Sequence, residues 1–205
     1  MLFSSKRCLP SALLLFVLFT ALSLAALRLL DLQWAWSLRP RWLIAGLALV
    51  AISDGLLHGA LALFFGRRYL RRYRSLARYF SPQGSTEIVA SGFLAAGEEL
   101  FFRGVLLQGA IGQLGWHVVS ALVLTALAFA LLHLITRPAL APFALWALWE
   151  GVLLGTVYLM SGSILTVALV HALHDAGGFA LFALQRRTGW LAGGATGERG
   201  FDSIE

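Results

Sequence analysis

Charged residues are scarce in this chain of 205 residues. They make up only 13% of it, whereas hydrophobic residues make up 59%. A soluble domain carries about a quarter charged residues, and a single core of this size could not hide so much apolar surface. The chain is long enough for one domain, and we expect lipid to be the solvent for much of it.

Cysteine is almost absent as well. The only one, Cys8, excludes an internal disulfide, and we interpret it as an interfacial thiol rather than an acylation site. The net charge of +6 comes almost entirely from arginine. Because no nucleic-acid recognition motif accompanies this charge, it favours contact with anionic lipid, and no nucleic-acid partner is expected.

Long apolar runs dominate the rest of the sequence. A hydrocarbon core about 30 Å thick is crossed by about 20 apolar residues in a helix. Lipid tolerates only helices or closed barrels, and these runs do not alternate with a period of two, so helices are expected. The predicted spans are residues 9–30, 42–65, 87–107, 117–135, 142–160 and 164–184.

The predicted fold is therefore an all-α polytopic membrane bundle of about six transmembrane helices, with a polar site inside it. Residues 1–85 would form two N-terminal spans and a basic cytoplasmic interfacial segment. Residues 86–187 would form a four-helix core that holds the site, and residues 188–205 a flexible polar tail. The first stretch resembles a signal peptide, but its length favours a retained span.

Basic residues in the short loops predict the orientation of the bundle. They fall mostly on one side of a six-span topology, which places both termini in the cytoplasm. The segment 67–80, in which tyrosines lie among arginines, is predicted to be an interfacial amphipathic helix. The basic residues on this side are Lys6, Arg7, the arginines at 67–78, Arg137, Arg186 and Arg187.

The third span carries Glu98, Glu99 and Arg103 near its middle. Each charge costs roughly 2.5–3.5 kcal/mol at a bilayer centre, so these side chains must face the interior of the bundle, be paired or be partly neutral. Glu99 and Arg103 are four residues apart and meet on one helix face. Glu98 is then the unmatched carboxylate, which suits a general base or acid. In the alternative, the three residues only lock helices together, at a high desolvation cost.

Histidines add further polar groups to apolar spans. His133 lies at the end of the fourth span, and His171, His174 and Asp175 lie together in the sixth. His171 and Asp175 share a helix face, and His174 is predicted to line the same cavity. Three ionisable groups in an otherwise apolar helix indicate a polar cavity. A hydrogen-bonded clamp between helices would use the same residue types.

Three more polar residues interrupt apolar spans. Asp54 and His58 are four residues apart in the second span. They are predicted either to pair with each other or to extend the cavity. Glu150 lies near the middle of the fifth span, where it is expected to pair with Arg137 or His174 or to control proton access.

Three motifs now stand in order on three predicted helices. The pattern resembles the CPBP family of intramembrane endopeptidases, which includes the CAAX prenyl endopeptidases and many bacterial proteins labelled Abi. The resemblance covers roughly residues 88–182, and the stretch Gly97–Gly104 is a close match to the family signature. The motifs are Glu98-Glu99-x-x-x-Arg103, Phe129-x-x-x-His133 and His171-x-x-x-Asp175.

The resemblance implies a role for each matching residue. Glu98 corresponds to the glutamate that activates water, and His133 to the histidine that assists it. His171 and Asp175 correspond to groups that hold the water and stabilise the oxyanion. The supporting residues are Glu99, Arg103 and the packing aromatic Phe129.

Asp175 departs from the family pattern, in which asparagine is common. Asparagine can donate a hydrogen bond to an oxyanion and an ionised aspartate cannot, so Asp175 is expected either to orient His171 or to be protonated. A carboxylate and two histidines can hydrolyse a peptide without a metal, and no cofactor is expected. The alternative is a divalent metal such as Zn²⁺ held by Glu98, His133 and His171.

Three functions are compatible with these residues. The first is an intramembrane endopeptidase of a bacterial inner membrane, acting on a membrane-anchored protein or peptide. The second is a proton-coupled transporter or channel that uses Glu98, Glu150 and the histidines as a relay, although neither broken helices nor inverted repeats are evident. The third is a non-catalytic immunity or scaffold protein on the same fold. Substrate identity and oligomeric state are left open.

Overall fold

The computed structural model describes residues 8–82, 84–136 and 141–189. Within these ranges every regular element is helical, which confirms the predicted all-α fold. Lys6, Arg7, Arg137 and residues 190–205 of the predicted tail lie outside them. The elements are α1 (Cys8–Leu29), α2 (Pro40–Phe80), α3 (Ser85–Phe101), a π-helical segment (Phe102–Leu107), α4 (Gln108–Gly112), α5 (Val118–Thr136), α6 (Ala141–Ser161) and α7 (Ile164–Arg187).

Four helices in the described ranges are long and apolar enough to cross a membrane, so the protein is an integral membrane protein. Their apolar stretches are Pro10–Leu29, Pro40–Ser75, Ala144–Ser161 and Ile164–Arg187. Helix α5 contributes a shorter apolar stretch, Val118–His133, and α3 carries the two glutamates of the first motif. The crossing of the membrane by these two helices stays a prediction.

Helix α2 extends beyond the predicted second span and ends only at Phe80. Its path bends at Gly66, whose φ of 48° and ψ of −128° are not helical and are accessible to glycine because it lacks a Cβ. The arginine-rich residues after this bend are helical, and Arg67, Arg68 and Arg71 are exposed. Their location at the membrane interface stays a prediction.

Helix α3 lies between α1 and α7 and makes its most extensive contacts with them, while α5 packs against α6. Glycines on α3 allow these approaches. A Cβ at Gly97 would lie 2.9 Å from the Phe16 ring of α1, and a Cβ at Gly92 would lie 3.2 Å from the carbonyl oxygen of Ala172 on α7. Close approach at small residues is the usual way in which helices pack in membranes.

The loop between α1 and α2 fastens one end of this core. The indole Nε1 of Trp34 donates to the carbonyl oxygen of Gly104 in the π-helical segment, at 2.9 Å. The hydroxyl of Ser163, which precedes α7, donates to the carbonyl oxygen of Ser37 at 2.6 Å. The same hydroxyl accepts from the backbone N–H of Thr166 and so caps α7. The loop between the two N-terminal helices is thereby joined to the segment of the first motif and to the start of α7, which carries the third motif.

Candidate active site

Glu99 is the centre of a buried polar network. Its Oε1 accepts a hydrogen bond from Nη1 of Arg103 at 2.6 Å and lies 2.8 Å from Nδ1 of His171 on α7. The exposed fractions of the three residues are 0%, 3% and 2%. The predicted contact between Glu99 and Arg103 is present, and His171 joins it from the other side. One carboxylate oxygen of Glu99 thus holds two cationic or donor side chains, while its Oε2 is buried without a hydrogen-bond partner in the described ranges.

Arg103 lies in the π-helical segment and connects three helices. Its Nη2 donates to the carbonyl oxygen of Gly151 on α6 at 2.8 Å, and its guanidinium lies 5.1 Å from the ring centroid of Phe129 on α5. A π-helical turn changes the direction of the side chains that follow it and is frequent at functional sites. The sequence motif did not predict Gly151 as a partner, because only a backbone oxygen is used.

Glu98 has a different environment from its neighbour. Its side chain is partly exposed, and it forms no hydrogen bond or ion pair with any residue in the described ranges. It lies within electrostatic range of His171 and Asp175, as well as of the Glu99 and Arg103 pair. The predicted division of the two glutamates into a paired and an unmatched carboxylate is therefore present.

Phe129 lies between the histidines of the second and third motifs. Its ring centroid is 4.6 Å from that of His133 and 6.0 Å from that of His171. Nδ1 of His133 is 2.9 Å from the carbonyl oxygen of Phe129, one turn earlier on α5. An imidazole that donates from Nδ1 to a carbonyl has Nε2 as its acceptor nitrogen.

A second polar cluster adjoins the first and is centred on His174. Its Nε2 lies 2.8 Å from Oδ2 of Asp54 on α2, and its Nδ1 lies 2.9 Å from Oε1 of Glu150 on α6. Oδ1 of Asp54 accepts a further hydrogen bond from the indole Nε1 of Trp146, at 2.9 Å. Side chains from α2, α6 and α7 therefore converge on one imidazole.

Asp175 lies where the two clusters meet. Its Oδ1 is 3.7 Å from Nε2 of His171 and also 3.7 Å from Nδ1 of His174. Its side chain is 30% exposed, more than that of either histidine. His171 and Asp175 lie on one face of α7, as predicted, and His174 lies beside them.

One of the two alternatives for Asp54 is wrong. Asp54 does not pair with His58, because its carboxylate points towards α6 and α7, where His174 offers a ring nitrogen. His58 instead makes a short contact through Nδ1 with the hydroxyl of Tyr69. Asp54 thus extends the polar cluster, which was the other alternative. Glu150 lies against His174, as one of its predicted alternatives required.

Three side chains come close enough together to surround a metal ion. The donor atoms of Glu150, His171 and Asp175 all lie within 4.8 Å of one another. One imidazole and two carboxylates are suitable ligands for Zn²⁺, although Nδ1 of His171 is already engaged by Glu99. The zinc ligands predicted from the sequence, which also include Glu98 and His133, do not form such a group in the described ranges. The metal-free site and the zinc alternative both stay predictions.

Comparison with known proteins finds a family match for the part of the chain that carries all three motifs. Residues 84–177 match the family model described as Type II CAAX prenyl endopeptidase Rce1-like. The match confirms the resemblance drawn from the motifs, and Asp54 lies outside the matched segment. No curated protein and no solved structure matches the chain.

Proposed function

We propose that this chain, whose residues 84–177 belong to the Type II CAAX prenyl endopeptidase Rce1-like family, is an intramembrane endopeptidase that uses a glutamate to activate water. The family is one of proteases, and the chain is an integral membrane protein. The substrate in this proposal is a membrane-associated protein or peptide. It is cut at a site within or near the bilayer.

The contrast between the two adjacent glutamates carries the proposal. Glu99 is fully buried and engaged by Arg103 and His171. Glu98 is partly exposed and engages no described side chain. A carboxylate that no other group uses is available to take a proton from water, which then attacks the scissile carbonyl. The same carboxyl group returns that proton to the leaving amine.

The histidines have complementary parts in this proposal. Glu99 accepts from Nδ1 of His171, and when that ring is protonated at both nitrogens, its Nε2–H can donate to the oxyanion of the tetrahedral intermediate. The bond to the Phe129 carbonyl makes Nε2 of His133 an acceptor, which suits a group that assists in deprotonating water. Asp175, as a carboxylate, cannot donate to the oxyanion, and we propose that it orients His171.

The proposed site works without a metal. Its carboxylate base, oxyanion donor and assisting histidine all belong to the chain itself. Treatment with EDTA is then expected to leave the rate of cleavage unchanged. Complete inhibition by EDTA with recovery on adding Zn²⁺ would instead establish the zinc alternative.

The proposed location is a bacterial inner membrane with both termini in the cytoplasm. Basic residues support this orientation, because they are concentrated in the segment after Gly66 and in the last turn of α7, at Arg186 and Arg187. Labelling of Cys8 with a membrane-impermeant maleimide tests it. The thiol should react in inverted vesicles and not in intact spheroplasts.

Two assays test the proposed activity. The first uses the protein in liposomes with a quenched-fluorescent peptide that ends in a farnesylated CAAX sequence. The second compares the membrane proteomes of cells that carry the wild type or Glu98→Gln, and seeks a precursor that is left uncut. Glu87→Gln is the matched control, since it makes the same chemical change in the first turn of the same helix.

A transport function has one structural observation in its favour. Ionisable side chains follow one another from Glu99 through His171, Asp175 and His174 to Asp54, at separations of 2.8–3.7 Å. A proton relay requires such a series of closely spaced ionisable groups. Proton flux into liposomes that depends on His174 as well as on Glu98, without any proteolysis, would favour this function over the peptidase.

A further inference from the structure

Helix α2 precedes the segment that matches the family, yet one of its side chains reaches the neighbourhood of the proposed catalytic groups. We propose that Asp54 of α2 and Glu150 of α6 are positioning residues, which hold His174 and through it Asp175 in the geometry of the site. Helix α2 is then part of the working enzyme. This inference rests on the proposed peptidase function.

The His174 ring faces a carboxylate at each of its nitrogens. Nε2 lies 2.8 Å from a carboxylate oxygen of Asp54, and Nδ1 lies 2.9 Å from one of Glu150. The contact with Asp54 is a hydrogen bond, whereas Nδ1 and the Glu150 oxygen lie at ion-pair distance without hydrogen-bond geometry, and the two carboxylates lie on different helices. The ring therefore lies between an anchoring carboxylate on α2 and a second carboxylate on α6.

Asp54 is itself fixed before it meets the histidine. Its Oδ1 accepts from the indole of Trp146, and its Oδ2 faces His174. The residue is only 9% exposed, so loss of either contact leaves a polar group without water to replace it. The neighbouring Ser53 accepts from Trp149 at 2.5 Å, which also joins α2 to α6 but does not lead to His174.

His174 supplies a partner that an aspartate at position 175 needs. Oδ1 of Asp175 lies 3.7 Å from ring nitrogens of both His171 and His174. Without the His174 ring, the carboxylates of Asp54, Glu150 and Asp175 would face one another with like charge in an apolar surrounding. Asp175 would then move away from its neighbours, and the orientation of His171 would be lost.

The first test is Asp54→Asn, with Ser53→Ala as the matched control on the same helix. The probe is the farnesylated CAAX peptide in liposomes. Because a hydrogen bond to a charged group is removed, kcat should fall roughly ten- to a hundredfold while KM is retained. Ser53→Ala should behave like the wild type. An equal fall of kcat in both variants would overturn the proposal by showing that any loosening of the α2–α6 contact is sufficient.

A double-mutant cycle tests whether Asp54 acts through His174. In the His174→Gln background, Asp54→Asn should cause no further loss of kcat, because its partner is already absent. Multiplication of the two separate losses would overturn the proposal. If His174→Gln does not fold, Asp54→Asn combined with Glu150→Gln replaces it. The double loss should then exceed the product of the single losses, because each single variant still leaves one carboxylate to hold the ring.

A spectroscopic measurement separates failure of this inference from failure of the proposed function. In the full chain labelled with ¹⁵N-histidine, Asp54→Asn should change the ring-nitrogen signals of His174 and leave those of His133 unchanged. Unchanged signals of His174 would overturn the positioning role even if the peptidase activity is real. Cleavage that persists in Glu98→Gln would overturn the peptidase mechanism alone. Bound zinc that is lost in His174→Gln would also overturn the inference, since the ring would then be a metal ligand.

Discussion

The adjacent glutamates of the first motif should differ sharply in their contribution to stability. In Glu99→Gln, the amide keeps one oxygen, which can accept from Arg103 or from His171 but no longer as an anion. Both donors now lie within 2.8 Å of the same carboxylate oxygen and are at most 3% exposed. Breaking a buried pair of this kind costs about 3–5 kcal/mol. The equilibrium constant for unfolding should therefore rise by roughly two to four powers of ten.

Glu98→Gln removes no such contact, since Glu98 forms no hydrogen bond or ion pair within the described ranges. Its free energy of unfolding should stay within about 0.5 kcal/mol of the wild type. Reversible unfolding by SDS in mixed micelles, followed by circular dichroism, measures both variants. The double variant Glu99→Gln with Arg103→Met should cost less than the sum of its two single changes, because no buried charge is left without a partner.

Two results would refute this reasoning. If Glu98→Gln and Glu99→Gln destabilise the protein equally, the two carboxylates do not have the different environments described above. If Glu99→Gln unfolds like the wild type, its buried contacts with Arg103 and His171 do not contribute to the fold. Either result would remove the basis on which Glu98 is assigned the chemistry.

Two further predictions concern the framework of the site. A Cβ at Gly151 would lie 3.1 Å from Cα of Ala126 on α5, so Gly151→Ala should lower the unfolding free energy by about 1–3 kcal/mol. Gly55 has open space around it and serves as the control. Gly55→Ala should not lower the unfolding free energy in the same SDS titration. Ser163→Ala removes the cap of α7 on Thr166 and should cost about 0.5–2 kcal/mol. Hydrogen exchange that is unchanged in the first turn of α7 would contradict the second prediction.

The helical bundle could be predicted from the sequence because its signal is simple. Apolar stretches long enough to cross a membrane can form only helices in lipid, and the helices observed begin and end close to the predicted limits. The exception is α2, which continues to Phe80. The predicted span ends where the apolar sequence ends, but a helix can continue into basic sequence once Gly66 has changed its direction.

The pairing of Glu99 with Arg103 could also be predicted, because a spacing of four residues determines which side chains meet on one helix. Contacts between helices could not be predicted in the same way. The spacing offers His58 as one of two alternatives for Asp54, but its partner His174 is 120 residues away. Helix packing, which the sequence does not reveal locally, decides which polar groups meet. The carbonyl acceptor at Gly151 had no side-chain signal at all.

The central claim is that Glu98 activates the water that hydrolyses a peptide bond. The most direct measurement is the rate at which wild type, Glu98→Gln and Glu87→Gln cleave the farnesylated CAAX peptide in liposomes, with the folded fraction of each determined in the same samples. We predict that Glu98→Gln is folded and inactive, whereas Glu87→Gln cleaves like the wild type. Cleavage by folded Glu98→Gln at the wild-type rate would contradict the claim.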